Sequence, residues 1–579
     1  MKKSHYLLIS LLVFAHFLLG QSYITNVTII DVEEQKLVPN QTVVIAEGII
    51  ANIGPSTGIE IPDNATIIDG RDKFLAPGLV DAHIHFFQNG GIYARPDALD
   101  LRKYHSYEDE IALTKSDMET KLRRYLQAGI TTVIDVGATL HFLNQRHEFT
   151  DKSYAPSIFI TGPLLTTYEP SVYRNLGEDE PFTLTQTIEE GINGVRQQLE
   201  HRPDFIKIWY IAGADGMTVE NSARKNLPIV KAIIDEAHKN NLKVAVHATQ
   251  RITAQLAVEN GADFLVHSVE DEVLQDDFVQ LMKDNDVVLC PTLVVHAGYL
   301  DTYAQRIEPS QYELMSSDPI QLGSLLDLKH LADTVLFERY KEYARTPAVI
   351  EDSRKTDSIS LVNLKMLSDA GVVIATGTDA GNIGTMHVSS YLAELQAMQK
   401  SGMTNWQIIE ASTINGAKVL DKEDELGSVR IGKKANLILL DANPVEQIEN
   451  VTKIHRVINK GDLFEPRALL EDSPADLVQR QLNAYNFRNI DAFMELYADD
   501  VEVYIFPDQL LYGDKATMRT AYARLFDNTP NLHCELKERI VQGNIVIDKE
   551  RVRFGDSILE AVAIYHTKGN KIKKVYFIN

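Results

Sequence analysis

Apolar and polar positions fall into three regimes along the chain. From 23 to about 72 they alternate, so that Val27-Thr28-Ile29-Ile30-Asp31, Thr42-Val43-Val44-Ile45 and Ile49-Ile50-Ala51-Asn52-Ile53 read as short strands, with Glu47-Gly48 as a hairpin turn. The same texture returns at Ala435-Asn436-Leu437-Ile438-Leu439-Leu440-Asp441 and again over 454–461. Two β segments that flank a long middle can pair with each other, which predicts one composite β-sandwich built from residues 21–73 and 421–465.

The middle, 74–420, has a different rhythm. Short, continuous apolar runs at 78–84, 131–136, 157–161, 204–209, 243–247, 263–267, 287–293 and 372–376 alternate with helical spacings such as Ile229, Val230, Ile233, Ile234 and Ala237 in 229–240, and a second helix at 254–260. Buried strands alternating with helices predict an α/β fold with a parallel sheet, and eight such units over this length predict a (β/α)8 TIM barrel. The connections 86–118 and 296–347 are overlong, and long connections after barrel strands emerge on the catalytic face, so both are expected to form a rim over a substrate. Past Gly461, Glu471-Asp472-Ser473-Pro474 reads as a linker. Beyond it, a helix carrying Leu477, Val478, Leu482 and Tyr485 precedes strands at 501–506, 532–540, 544–554, 558–566 and 573–578, an α+β domain over 475–579.

Composition narrows the class of function. The 579 residues exceed one ordinary domain, and 44% apolar with 24% charged residues describe a globular chain with ample core. A formal charge of -24 repels polyanions, so no nucleic-acid partner is expected. Lys2-Lys3 followed by an apolar run over 6–19 matches a signal peptide spanning 1–20, too short to serve as a stable membrane anchor, and predicts a secreted or periplasmic protein. Only Cys290 and Cys534 occur, which excludes a cysteine-based metal site.

The candidate chemistry lies at predicted strand ends. In Pro77-Gly78-Leu79-Val80-Asp81-Ala82-His83-Ile84-His85 the two histidines stand two apart, so on a strand they share one face and make half of a metal site. Lys207, in Asp204-Phe205-Ile206-Lys207-Ile208-Trp209, is an amine among apolar neighbours whose pKa should fall, freeing it to react with carbon dioxide and become an anionic carbamate ligand. His247 and His267 end the fifth and sixth strands, and Asp379 follows the eighth in Gly377-Thr378-Asp379-Ala380-Gly381. In a closed barrel the first and eighth strands are neighbours, so these residues are expected to converge. Tyr210 and His296, just past strands four and seven, are weaker candidates for substrate contact, and His387 is weaker still.

These motifs, together with Leu426-Gly427-Ser428-Val429-Arg430-Ile431-Gly432-Lys433-Lys434-Ala435-Asn436-Leu437, resemble the amidohydrolase superfamily from about 23 to 460, and within it the prolidase-like and imidazolonepropionase-like branch. The resemblance implies two divalent metal ions, zinc being the expected element. His83, His85 and Asp379 would hold one ion and His247 and His267 the other, with carboxylated Lys207 bridging and Asp379 as the catalytic proton acceptor. Residues 476–579 resemble the SnoaL-like branch of the NTF2-like fold through Tyr497-Ala498-Asp499-Asp500-Val501, Tyr512-Gly513-Asp514-Lys515 and Gly569-Asn570-Lys571-Ile572. In that domain Asp499, Asp500 and His533 read as solvated residues without a catalytic role, and the domain is a candidate for homo-oligomer contacts. The function these readings imply is metal-dependent hydrolysis of an amide-type C–N bond in a dipeptide or N-acyl amino acid. The alternatives are a cyclic-amide hydrolase, or a non-catalytic barrel with a ligand-binding C-terminal domain.

Overall fold

The computed structural model describes residues 21–578, so the expected signal segment at 1–20 lies outside the described residues. Runs such as Leu79–Ile84 and Ile130–Asp135 are buried at every position, as strands covered on both faces must be. They pair in parallel, and Ser157–Ile160 follows on the second strand. A second parallel set runs Ile206–Trp209, Val244–His247, Phe264–Val266 and Val288–Cys290. The third barrel strand is interrupted: Ser157–Ile160 pairs with Ile130–Asp135, and the chain then resumes at Leu164–Thr166 to pair with Ile206–Trp209.

The eighth strand differs from the expectation. Instead of a regular strand over 372–376, the chain makes an isolated bridge at Ile374 and then kinks, with Asp379 at φ 56°. It still closes the barrel. Leu289 N–H donates to Val373 O and Ala375 N–H to Leu289 O, both at 2.9 Å, on one side. On the other, Ala82 N–H donates to Thr376 O (2.9 Å) and Asp379 N–H to His83 O (2.7 Å). Gly377 makes this closure possible, because a Cβ there would stand 2.4 Å from Cys290 Sγ and 2.6 Å from His83 N. The helix expected at 229–240 begins earlier, as Val219–Lys239, because the Thr218 hydroxyl accepts from Asn221 N–H and caps it there, and Pro228 is accommodated inside. The helix expected at 254–260 is Arg251–Glu259.

Strands from both ends of the barrel join one sheet. Leu437–Leu440 pairs antiparallel with Phe74–Pro77, which itself pairs with Ser22–Asp31. The expected sandwich is therefore a single continuous eight-stranded sheet, not two separately bonded ones, and Ile24, Val43, Leu75, Leu437 and Ile458 form its buried cluster.

The C-terminal part sets helices Pro474–Asn486, Ile490–Glu495 and Lys515–Asn528 beside a six-stranded sheet. In that sheet Tyr497–Ile505 lies between Gln509–Tyr512 and Ile572–Ile578, and Ser557–Thr567, Ile545–Phe554 and His533–Gln542 follow in order. Its apolar core continues into the second long connection: Leu314, Leu322 and Leu325 share a cluster with Leu477, Val478 and Leu482. Among the described residues no helix is long and apolar enough to cross a membrane.

Candidate active site

The mouth of the barrel gathers the residues that strand-end position singled out. His83 and His85 project from one face of the first strand with their Nε2 atoms 3.3 Å apart. Asp379 Oδ1 stands 3.2 Å from His83 Nε2 and 3.0 Å from His85 Nε2. One ligand atom from each of the three residues lies within 4.8 Å of the others. The left-handed backbone at Asp379, tolerable for an aspartate, turns its carboxylate back toward the first strand. Behind it Asp81 works as a latch, accepting from Thr378 N–H (3.0 Å) and Thr378 Oγ1 (2.8 Å), so that the loop carrying Asp379 is tied to the strand carrying the histidines. Burial pushes the Asp81 carboxyl up to about 7 against the pull of these hydrogen bonds.

The protonation pattern is that of a cation site. Burial pushes His83 down to about 4, so its ring is neutral. Burial alone would raise Asp379, but the rings of His83 and His85 hold its carboxyl well below the usual range. His85 Nδ1 donates to Gly137 O at 2.8 Å, which fixes the ring with its Nε2 toward Asp379. Two ring nitrogens and a carboxylate oxygen thus crowd together, and Asp379 Oδ1 is buried without an aligned hydrogen-bond donor. Such a donor set fits a divalent cation.

A second group faces the first. The rings of His247 and His267 lie 4.3 Å apart between centroids, and His267 lies 5.0 Å from His83. His267 sits at φ 76° with its Nδ1 2.6 Å from Thr292 Oγ1, which fixes the ring and frees Nε2. Burial pushes the Lys207 ammonium down to about 7, with Asp379 opposing the shift. All six residues, His83, His85, Lys207, His247, His267 and Asp379, line one cavity of about 700 Å³. Its remaining walls include Leu164, Phe182 and Trp209, and the polar Arg95, His296 and Tyr299. Both long connections contribute, through Gln88 and Arg95 from the first and Tyr299 and Glu308 from the second. Arg95 forks onto Asp97 and donates to Asn382, whose amide donates to Asp379 O at 3.0 Å.

Several weaker candidates fall elsewhere. Tyr210 points away, its hydroxyl donating to Ala223 O at 2.6 Å inside the helical layer; Trp209, one residue earlier and on the same strand face as Lys207, lines the cavity instead. His387 is buried between Tyr125 Oη (2.7 Å) and Gln88 O (2.8 Å), a structural position. Asp81 and Glu394 were not singled out by sequence. The Glu394 carboxylate accepts from Leu293 N–H (2.8 Å) and Val294 N–H (3.2 Å) and so shapes the wall after the seventh strand, and burial raises its carboxyl to about 8.

The C-terminal part has its own cavity of about 360 Å³, lined by Leu482, Tyr485, Tyr522, Phe554 and Tyr565 with one carboxyl, Glu550. Burial, with Asp548 nearby, raises Glu550 to about 7, and Tyr565 Oη donates to it at 3.1 Å. Asp499 is 99% exposed beside Lys515, and Asp500 pairs with Lys573. His533 is not solvated: its ring stacks on His330 of the long connection, centroids 5.4 Å apart.

Comparison with known proteins places this geometry. The model of the amidohydrolase family matches residues 74–464, and that of the SnoaL-like domain matches residues 478–575. The chain is 23% identical over 437 residues to an imidazolonepropionase of Geobacillus sp. (strain WCH70), covering 70% of this chain and 85% of that one. It is 24% identical over 401 residues to the guanine deaminase of Escherichia coli (strain K12), covering 67% and 78%. Among solved structures it is similar to a Xaa-Pro dipeptidase with bound methionine in the active site, at TM-score 0.58 and 24% identity over 77% of this chain and all (100%) of that one.

Proposed function

Since this chain belongs to the amidohydrolase family and is a hydrolase acting on C–N bonds, we propose that it cleaves a linear amide, a dipeptide or an N-acyl amino acid, in the barrel cavity with the help of two divalent cations, zinc by expectation. The observation that carries this reading is the convergence of six ligand-type residues from five separate strand ends onto one cavity. His83, His85 and Asp379 would hold one cation and His247 and His267 the other, with Lys207, buried among apolar neighbours, bridging them as a carbamate. When bound, the cations supply an acidified water and polarise the scissile carbonyl.

The chain's own residues do the rest. Asp379 accepts the proton of the attacking water and delivers it to the leaving nitrogen. The Asp81–Thr378 latch and the Arg95–Asn382 contact keep its carboxylate in place while this happens. Leu164, Phe182 and Trp209 offer an apolar side chain a surface, and His296 and Tyr299 offer hydrogen bonds to the polar part of the substrate. These two kinds of wall suit the two unlike halves of a linear amide.

A turnover panel of dipeptides, N-acyl amino acids and lactams, run together with elemental analysis of the purified protein, tests the reading. Cleavage of linear amides by protein carrying about two metal ions per chain is the expected result. The cyclic-amide reading is favoured by one observation, the similarity to imidazolonepropionase, and activity confined to lactams would put it first. Export to the periplasm or medium is part of the same proposal, tested by locating the full-length chain after cell fractionation.

A further inference from the structure

The wall of the barrel cavity formed by Ile307, Glu308, Pro309 and Glu313 leads directly into two six-residue helices, Gln311–Ser316 and Pro319–Ser324. Helices this short do not hold themselves, since nucleation costs more than one or two hydrogen bonds return. Something outside must fix them. The structure shows what does.

Arg480 lies on helix Pro474–Asn486 of the C-terminal domain, with 2% of the residue exposed. Its Nη1 donates to Leu314 O at 3.1 Å and Ser317 O at 2.8 Å, carbonyls at the end of the first short helix, where the intrahelical ladder supplies no donor. Its Nε and Nη2 fork onto Asp472 at 2.7 and 3.1 Å, which holds the guanidinium flat against those carbonyls. From the barrel side Arg124 Nη1 donates to the same Ser317 O at 3.2 Å. Asn483, one turn further along the C-terminal helix, donates to Pro319 O at 2.7 Å. The packing there is close enough that a Cβ on Gly323 would come within 2.7 Å of Asn483 Oδ1. The Gln311 amide donates to Glu495 at 2.9 Å, and Ser317 Oγ donates to Ser389 Oγ at 2.7 Å in the chain that follows the Asp379 loop.

We propose that the C-terminal domain braces the barrel's substrate cavity: Arg480, seconded by Asn483, is a positioning residue that fixes segment 314–319 behind the 307–313 wall and thereby sets how the substrate is held. This rests on the reading of the barrel cavity as the substrate site. Arg480 and Asn483 act on this segment through its backbone carbonyls, and no residue of the C-terminal domain lines the cavity. The arginine's rigid planar fork reaches two carbonyls and a carboxylate from separate nitrogens and keeps its charge when buried, whereas a lysine offers one nitrogen and loses its charge more readily, so lysine replaces it poorly.

The test uses the full-length chain with Arg480→Ala, Arg480→Lys and Asn483→Ala, the last serving as the milder probe should the first fail to fold. Kinetics on the amide selected by the panel, metal content, and hydrogen exchange of backbone amides are measured for each. The expected result for Arg480→Ala is a KM raised about tenfold or more, kcat within about threefold, unchanged metal content, and faster exchange confined to 305–324. Arg480→Lys should recover part of the KM, and Asn483→Ala should show the same pattern more weakly. Unchanged KM and unchanged exchange at 305–324 in Arg480→Ala and Asn483→Ala would overturn the proposal, as would equal loss of metal and kcat with no localised exchange. A wild-type chain that cleaves nothing in the panel defeats the hydrolase reading instead, and exchange at 305–324 then still decides whether Arg480 fixes this wall.

Discussion

Two of the cavities among the described residues share a feature and differ in what surrounds it. Each buries ionisable groups at a cost, and each has a group shifted to about 7: Lys207 in the barrel and Glu550 in the C-terminal domain. In the barrel the buried lysine faces His83, His247, His267 and Asp379, groups of complementary chemistry delivered by other strands. In the C-terminal cavity the carboxyl has the Tyr565 hydroxyl and the Cys534 thiol beside it, and the walls are mainly aromatic and aliphatic, with Gln481 as a further polar side chain. A shifted pKa is therefore common to both cavities, and what sets the barrel apart is the convergence of several ligand-type groups on one point.

The largest effect that would sharpen this contrast is expected from Asp379→Asn, which keeps the shape but removes the proton acceptor. Turnover of the panel substrate should fall by ~10²–10⁴-fold; near-normal kcat would erase the distinction between the cavities. Next comes Lys207→Met. Exchanging a buried amine for a thioether should leave thermal stability equal or higher while metal content drops and turnover collapses, as read by melting curves and elemental analysis. If metal content stays at its wild-type value, Lys207 has no part in the cation site.

Glu550→Gln probes the other cavity and should leave turnover unchanged. Its effect lies in pH dependence. The folded pKa is raised from 4.5 to about 7, so the folded protein holds a proton that the unfolded chain releases, and wild-type stability falls as pH rises through that window. At ~1.4 kcal/mol per pKa unit the loss amounts to at most ~3.5 kcal/mol, complete above about pH 7. Melting temperatures measured from about pH 4 to pH 8 should show the glutamine variant gaining on wild type across the window; parallel curves would mean that Glu550 is not shifted. The smallest effect is expected at Asp499, whose side chain is 99% exposed. Asp499→Ala should change stability by no more than ~0.5 kcal/mol and turnover not at all, and a marked loss of either would give that surface a role the geometry does not suggest.

Much of the barrel site was legible because strand geometry is simple. Two histidines at alternate positions share a face, and histidine, lysine or aspartate at the end of an apolar run meets others of its kind once the sheet closes. What escaped depends on contacts between distant segments. Asp81 is chemically an ordinary strand residue until Thr378 arrives from 297 positions away. Glu394 looks like any helical glutamate until its carboxylate is found on the amides of Leu293 and Val294. Parity along the strand from Lys207 puts Trp209, not Tyr210, on the inner face. Helix Lys515–Asn528 also left a trace, Asp514 as its cap and Met518, Tyr522 and Phe526 at helical spacing. The regular eighth strand was expected from apolarity alone, which does not register the left-handed turn at Asp379.

The pairing of Phe74–Pro77 with Leu437–Leu440 has a consequence for synthesis. One edge of the earlier segment can be zipped by Ser22–Asp31 at once, but its other edge waits for a partner about 360 residues downstream. At ~5–20 residues per second a ribosome needs tens of seconds to deliver it. Throughout that interval the nascent chain carries an open, apolar strand edge.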